Sequence, residues 1–138
     1  MRLNLAKHLG FVALAAGLAA CSATDLPSDP GPVVTTPSAG WLTVQLTSPR
    51  ADDGAVQLHI TGPALDSVQV AGFEGFGTVT SGAADLIVTG AIVSGTVARV
   101  HVADPSRVAE YRATVVAAAA RATYRTQDIA SYRASLTR

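Results

Sequence analysis

One cysteine, one lysine and seven aromatic side chains (one tryptophan, three tyrosines, three phenylalanines) in 138 residues set the first limits on this chain. A single cysteine excludes an intramolecular disulfide and a cysteine-rich zinc site. The one lysine, Lys7, lies near the N-terminus, so no Walker-type phosphate loop is present. Charge is scarce as well. Only 14% of residues are charged, and ten bases balance ten acids. That excludes an acidic or basic disordered chain, which needs high net charge and low hydrophobicity. It also removes the basic footprint expected of a nucleic-acid binder. No Gly-x-Ser-x-Gly elbow is present to mark a hydrolase nucleophile.

Long apolar runs are missing too. Leu9 to Ala20 is twelve residues without a charge, preceded by Arg2 and Lys7 and no acid. A helix of that length rises about 18 Å, short of a bilayer core of about 30 Å. The later apolar run around Val115 is cut by Arg112 and Arg121. A basic start followed by a short apolar stretch is the layout of a secretory signal, expected over residues 1–20.

The stretch ends Leu18-Ala19-Ala20-Cys21-Ser22. Leu18, Ala19, Ala20 and Cys21 resemble the lipobox of bacterial lipoproteins. The resemblance implies cleavage before Cys21, a diacylglyceryl thioether on its sulfur and, usually, acylation of its new amino group. Membrane lipid, through the acylated Cys21, is then the first expected partner. Two or more acyl chains anchor stably, because each buried methylene adds about 0.8 kcal/mol. By the same resemblance, Ser22 in place of Asp implies onward transfer to an outer membrane, where the cell has one.

Residues 21–39 carry Pro27, Pro30, Pro32 and Pro37 among Ser, Thr and Asp, which reads as an extended linker. From residue 40 the pattern changes to alternation, and residues 40–138 read as one domain. Leu42, Val44 and Leu46 share one face, as do Val56, Leu58 and Ile60. A period of two marks half-buried strands. Ser48 to Gly54 between them is a cluster of turn formers, so the two runs read as a hairpin or as neighbouring sandwich strands. Further strands are expected over 65–71, 85–89, 95–103, 111–118 and 131–137, with a glycine-rich loop over 72–82. Ala117 to Ala120 lies in a segment, 108–123, where a short helix competes with a strand. Alanine favours helix, but Tyr111, Thr114, Val115 and Val116 favour strand, and we expect the strand. The core is expected to rest on Leu46, Leu58, Ile60, Val88, Val100 and Leu136.

About seven short strands with frequent turns predict an all-β fold, a single antiparallel Ig-like sandwich. Asp52-Asp53-Gly54-Ala55-Val56, Ile87-Val88-Thr89-Gly90 and Gly95-Thr96-Val97 give the domain a loose resemblance to small cohesin-like and Ig-like domains of bacterial surface lipoproteins. The resemblance implies a fold and no activity.

Few residues are candidates for chemistry. His59 and His101 fall on the polar phase of their strands; with Asp66 or Asp104 they are the only candidates for a metal site or a general base. Solvated surface histidines are the expected reading. Asp52-Asp53-Gly54 lacks the further acids of a calcium loop and reads as a turn. Phe73 and Phe76, in the glycine-rich segment, are candidate ligand contacts or plugs for one end of the sandwich. Trp41, directly after the linker, is similarly placed. Charge divides unevenly: residues 40–98 carry one base and five acids, and 99–138 carry seven arginines and three acids. Either the halves solvate each other, or Arg112, Arg121, Arg125 and Arg133 form a face for anionic lipid or glycan.

The expectation is a lipid-anchored envelope protein, non-catalytic, without cofactor or metal. Its partner would be an envelope protein or glycan, and not nucleic acid. A small hydrolase or metal-dependent enzyme using His59 and His101, and a carbohydrate-binding module, are the alternatives.

Overall fold

A computed structural model describes residues 36–138. The lipobox residues Leu18, Ala19, Ala20 and Cys21 lie outside the described residues. Eight strands and one 3-10 helix follow in order: β1 (Gly40–Thr47), β2 (Asp53–Thr61), β3 (Leu65–Val70), β4 (Glu74–Thr80), β5 (Ala83–Ile92), β6 (Gly95–Val102), the helix (Pro105–Glu110), β7 (Arg112–Ala120) and β8 (Arg133–Thr137). They form two four-stranded antiparallel sheets, in the orders β3-β6-β1-β8 and β4-β5-β2-β7. The fold is the antiparallel β-sandwich that the alternation predicts. The pairings β2–β5–β4 and β3–β6 match the central pairings of an Ig domain. The first and seventh strands exchange sheets relative to that plan: β1 pairs with β6, and β7 with β2.

The core lies between the sheets. Leu42, Val44 and Leu46 of β1 face Val56, Leu58 and Ile60 of β2, together with Leu86 and Val88 of β5 and Val100 and Val102 of β6, all buried. Each such side chain contributes about 1.5–3 kcal/mol on leaving water. Five of the six expected core residues are fully buried, and Leu136 packs against the core half-buried on edge strand β8. Because β1 and β2 lie in opposite sheets, the Ser48–Gly54 turn is an arch between sheets and not a hairpin.

The alanine-rich segment is a strand. β7 pairs with β2 from Arg112 to Ala120, with two irregularities: Gly54 is skipped between Asp53↔Ala120 and Ala55↔Ala119, and Val116 has no opposite number between Leu58↔Val115 and Gln57↔Ala117. Ala113, Val115 and Ala118 turn inward. Alanine's helix preference is worth a few tenths of a kcal/mol per residue, less than burying that row against β2.

The glycine-rich segment 72–82 departs from expectation: its middle is β4, an edge strand. Phe76, Thr78 and Thr80 face outward in alternation, but two of the inward positions are Gly75 and Gly77, whose missing side chains hide the period. Glycine is required there. A Cβ on Gly75 would sit 2.2 Å from the Ile87 carbonyl oxygen, and one on Gly77 would sit 2.4 Å from a Val68 methyl of β3. The missing side chains let β3 of one sheet close down on β4 of the other.

Asp104 begins the 3-10 helix. Its carboxylate accepts hydrogen bonds from the Ser106 hydroxyl and from the Ser106 N–H, the latter at 2.9 Å. The Ser106 hydroxyl holds that carboxyl below the usual aspartate range, the backbone contact assisting.

Candidate functional site

Strand phase sends each candidate side chain to one of two outer faces. On the first sheet, β1, β3 and β6 bring together Trp41, His101 and the Asp66–Ser67 pair. Trp41 and Ser67 are the register partners of His101 on either side. Asp66 occupies the irregularity between Leu65 and Ser67. Its Oδ2 lies 3.0 Å from His101 Nδ1. That contact fixes the imidazole, whose ring meets the Trp41 indole edge-on, with centroids 5.0 Å apart and planes at 65°. Trp41 keeps 40% of its surface open to solvent. The next row along the sheet is Gln69, Arg99, Thr43 and Thr137, in register across all four strands. Among the described residues, no acid pairs with the Arg99 guanidinium. The face therefore offers a flat aromatic, a free cation, an amide and hydroxyls about 5–7 Å apart, the strand and pleat spacings.

On the second sheet, His59 of β2 and Asp85 of β5 are register partners, with Nδ1 and Oδ1 2.8 Å apart. Around them the outer face mixes polar side chains with alanines and a few large apolar ones. Phe76, Ile87, Gln57 and Ala117 form one row, and Glu74, Thr89, Ala55 and Ala119 the next. Phe76 is 69% exposed and Ile87 46% exposed. Beside them lies a hollow of about 180 Å³ lined by Ala55, Gln57, Ala117, Ala119 and Thr126.

This geometry corrects several expectations. His59 and His101 stand on outer faces of different sheets and cannot act on one substrate or share one metal. Asp66 does pair with His101, but Asp104 is committed to Ser106. No group of three His, Cys, Asp or Glu placed to hold a metal occurs among the described residues. Phe73 and Phe76 separate: Phe73 packs half-buried on the core, and Phe76 projects from β4 into solvent. The arginines do not share a face. Arg133 lies on the first sheet and Arg112 on the second, with Arg121 and Arg125 in the connection between their strands.

One polar cluster was not foreseen. Asp53, expected in a turn, is the only buried charged residue among those described, 1% exposed at the start of β2. Its carboxylate accepts from the Tyr132 hydroxyl at 2.6 Å and from the Ser48 hydroxyl. The Tyr132 oxygen also lies against the Gln127 side-chain amide. Burial first, and the Asp53 contact second, push the Tyr132 phenol up to about 12. The cluster ties the β1–β2 arch to the segment before β8. No local pattern announces it, because its members come from two stretches of chain far apart in sequence.

The chain matches no protein-family model, no curated protein and no solved structure. No helix among the described residues is long and apolar enough to cross a membrane.

Proposed function

We propose that this chain is a lipid-anchored cell-envelope protein whose sandwich domain serves a binding or structural role and not a catalytic one. The observation that carries the anchoring is Leu18-Ala19-Ala20-Cys21: the chain's one cysteine falls where a lipobox requires it. Ser22 assigns it to the outer membrane where the cell has one. The test is metabolic labelling with a clickable palmitate analogue. Wild-type chain is expected to carry label and sediment with membranes, and Cys21→Ala to lose the label. Mass spectrometry finding an unmodified Cys21 in the mature chain overturns the anchoring.

The outer face around Trp41 supports the binding role, and it favours a carbohydrate as second reading. An exposed indole braced by His101, one row from Arg99 and Gln69, supplies a stacking surface and planar hydrogen-bonding groups. Trp41 is the chain's only tryptophan, so its fluorescence reports this face alone. A saturable shift with envelope glycans, lost when Arg99→Ala removes the cation, is the expected result. No shift with any glycan fraction leaves a protein partner as the binding reading. His59 and His101 stand on outer faces of different sheets, so an enzyme reading would rest on one histidine alone, and we do not propose it. Nucleic acid is not a proposed partner, since the domain has no net basic charge.

A further inference from the structure

An exposed indole and a cation with no acid partner among the described residues stand side by side on the first sheet. We propose that this face selects a pyranose that carries a carboxylate, the Trp41 indole stacking on the ring and the Arg99 guanidinium pairing with the carboxylate. This selectivity rests on the carbohydrate reading of the face given above.

Register places the two groups. Trp41 pairs with His101, and Thr43, two residues on, pairs with Arg99. Trp41 and Arg99 are therefore diagonal neighbours on adjacent strands, about 7–8 Å apart. Arg99 is exposed between buried Ala98 and Val100, so its side chain leaves the same face as the indole. A pyranose lying on the indole brings a carboxylate on its rim within reach of the extended arginine, whose planar fork matches both carboxylate oxygens. Gln69 and Thr43 flank Arg99 as register partners in β3 and β1. Neither side chain makes a hydrogen bond among the described residues, whereas Gln45 farther along β1 already donates to Thr96 Oγ1 at 2.8 Å. The Gln69 amide and the Thr43 hydroxyl are left for ring hydroxyls. Asp66, turned to His101 at 3.0 Å, lies beside the row that holds Trp41. As an acceptor only, it takes hydroxyl protons and repels a carboxylate. The two charges thus orient the ring, with its acid edge over Arg99 and a hydroxyl edge toward Asp66.

Charge divides the two sheets in the same sense. The strands of the first carry Arg99 and Arg133 against Asp66. Those of the second carry Arg112 against Asp53, Glu74 and Asp85. An anion is drawn to the first. Arg133 is already engaged there, its Nη1 donating to the Ala130 and Tyr132 carbonyls, each at 2.7 Å. One accessible cation suits one carboxylate. It does not suit an anionic membrane, which is recognised by clusters of about 4–8 basic residues. An acidic peptide brings the carboxylate but no ring of hydroxyls for Gln69, Thr43 and Asp66. Trp41 is the one aromatic in the four strands of this sheet, so a single sugar ring carries the recognition.

Two matched pairs of oligosaccharides test the selectivity on the purified full-length chain, by Trp41 fluorescence and by calorimetry. Cellohexaose and its oxidised uronate form differ in the carboxylates at the sixth carbon. Chitohexaose and a strand of alternating N-acetylglucosamine and N-acetylmuramic acid differ in lactyl ethers. The acidic member of at least one pair is expected to bind with a Kd lower by roughly tenfold or more, the gain of a charged hydrogen-bonded contact. Preference in the first pair assigns a uronate, and preference in the second a lactyl carboxylate. In Arg99→Gln the ratio should fall to about one. In Arg112→Gln, which removes the same charge from the second sheet, it should persist. Trp41→Ala should abolish the calorimetric binding of the acidic sugar. Circular dichroism confirms that each variant is folded. Equal affinity within both pairs overturns the carboxylate selectivity and leaves the carbohydrate reading standing. No binding of any of the sugars overturns both. A preference that survives Arg99→Gln, or that Arg112→Gln removes equally, overturns the pairing with Arg99. A response to phosphatidylglycerol vesicles and to no sugar assigns the cation to lipid and overturns the proposal as well.

Discussion

The Tyr132 hydroxyl donates to the Asp53 carboxylate across 79 positions of sequence, and the pair closes one end of the sandwich. A buried carboxylate with no counter-ion among the described residues persists because two hydroxyls satisfy it, those of Tyr132 and Ser48. Tyr132→Phe removes one donor and leaves the charge less compensated. We expect a loss of about 1–3 kcal/mol in urea unfolding at pH 7. Ser131→Ala, one residue earlier and exposed, should change stability by less than about 0.5 kcal/mol.

The same phenol makes stability pH-dependent in the alkaline range. Its pKa is raised to about 12 by burial and by Asp53, against about 10 in an unfolded chain. Below pH ~10 both states keep the proton and the contribution is whole. Above it the unfolded state releases the proton first, so stability falls until pH passes about 12. Melting temperatures measured between these limits should decline in wild type and decline less in Tyr132→Phe. Tyr111, also raised by burial, supplies residual slope. Equal slopes in the two proteins would detach the effect from Tyr132.

Phase along β2 makes a second contrast. Leu58 is fully buried, and its neighbour His59 faces out toward Asp85. Leu58→Ala should cost about 2–5 kcal/mol. His59→Ala removes a contact at a solvent-exposed face and should cost about 1 kcal/mol or less. Paired urea melts decide, and a larger loss at His59 would assign that imidazole a structural role.

Gly75 is closely approached by both β5 and β3. Gly75→Ala forces a Cβ against the Ile87 carbonyl and a Val70 methyl. The expected loss is about 1–3 kcal/mol, as for overpacking elsewhere. Thr78→Ala, on the same strand but facing solvent, should be nearly neutral. A tolerated Gly75→Ala, seen as an unchanged melting temperature, would mean that β4 can move away from β3.

The alternating runs made β1, β2 and β6 legible, and β5 was legible only in its apolar middle, 85–89 of Ala83–Ile92. Apolar side chains at every second position can be buried only by a strand that lies on one side of a core. From that alone followed the sandwich, the inward phase of Leu58 and the outward phase of His59 and His101. The segment at β4 was not legible, since glycine at the inward positions removes the very side chains that carry the signal, and its necessity appears only when β3 is seen above it. Asp53 read as a turn residue because its partners Ser48, Gln127 and Tyr132 are brought to it by the packing of the two sheets. The separation of His59 from His101 and the gathering of Trp41, His101, Asp66 and Arg99 on one face were likewise decided by which strands share a sheet. Side-chain phase is a local property with a period of two and can be read from sequence. Strand order is set by the burial of the whole core at once, and no single segment encodes it.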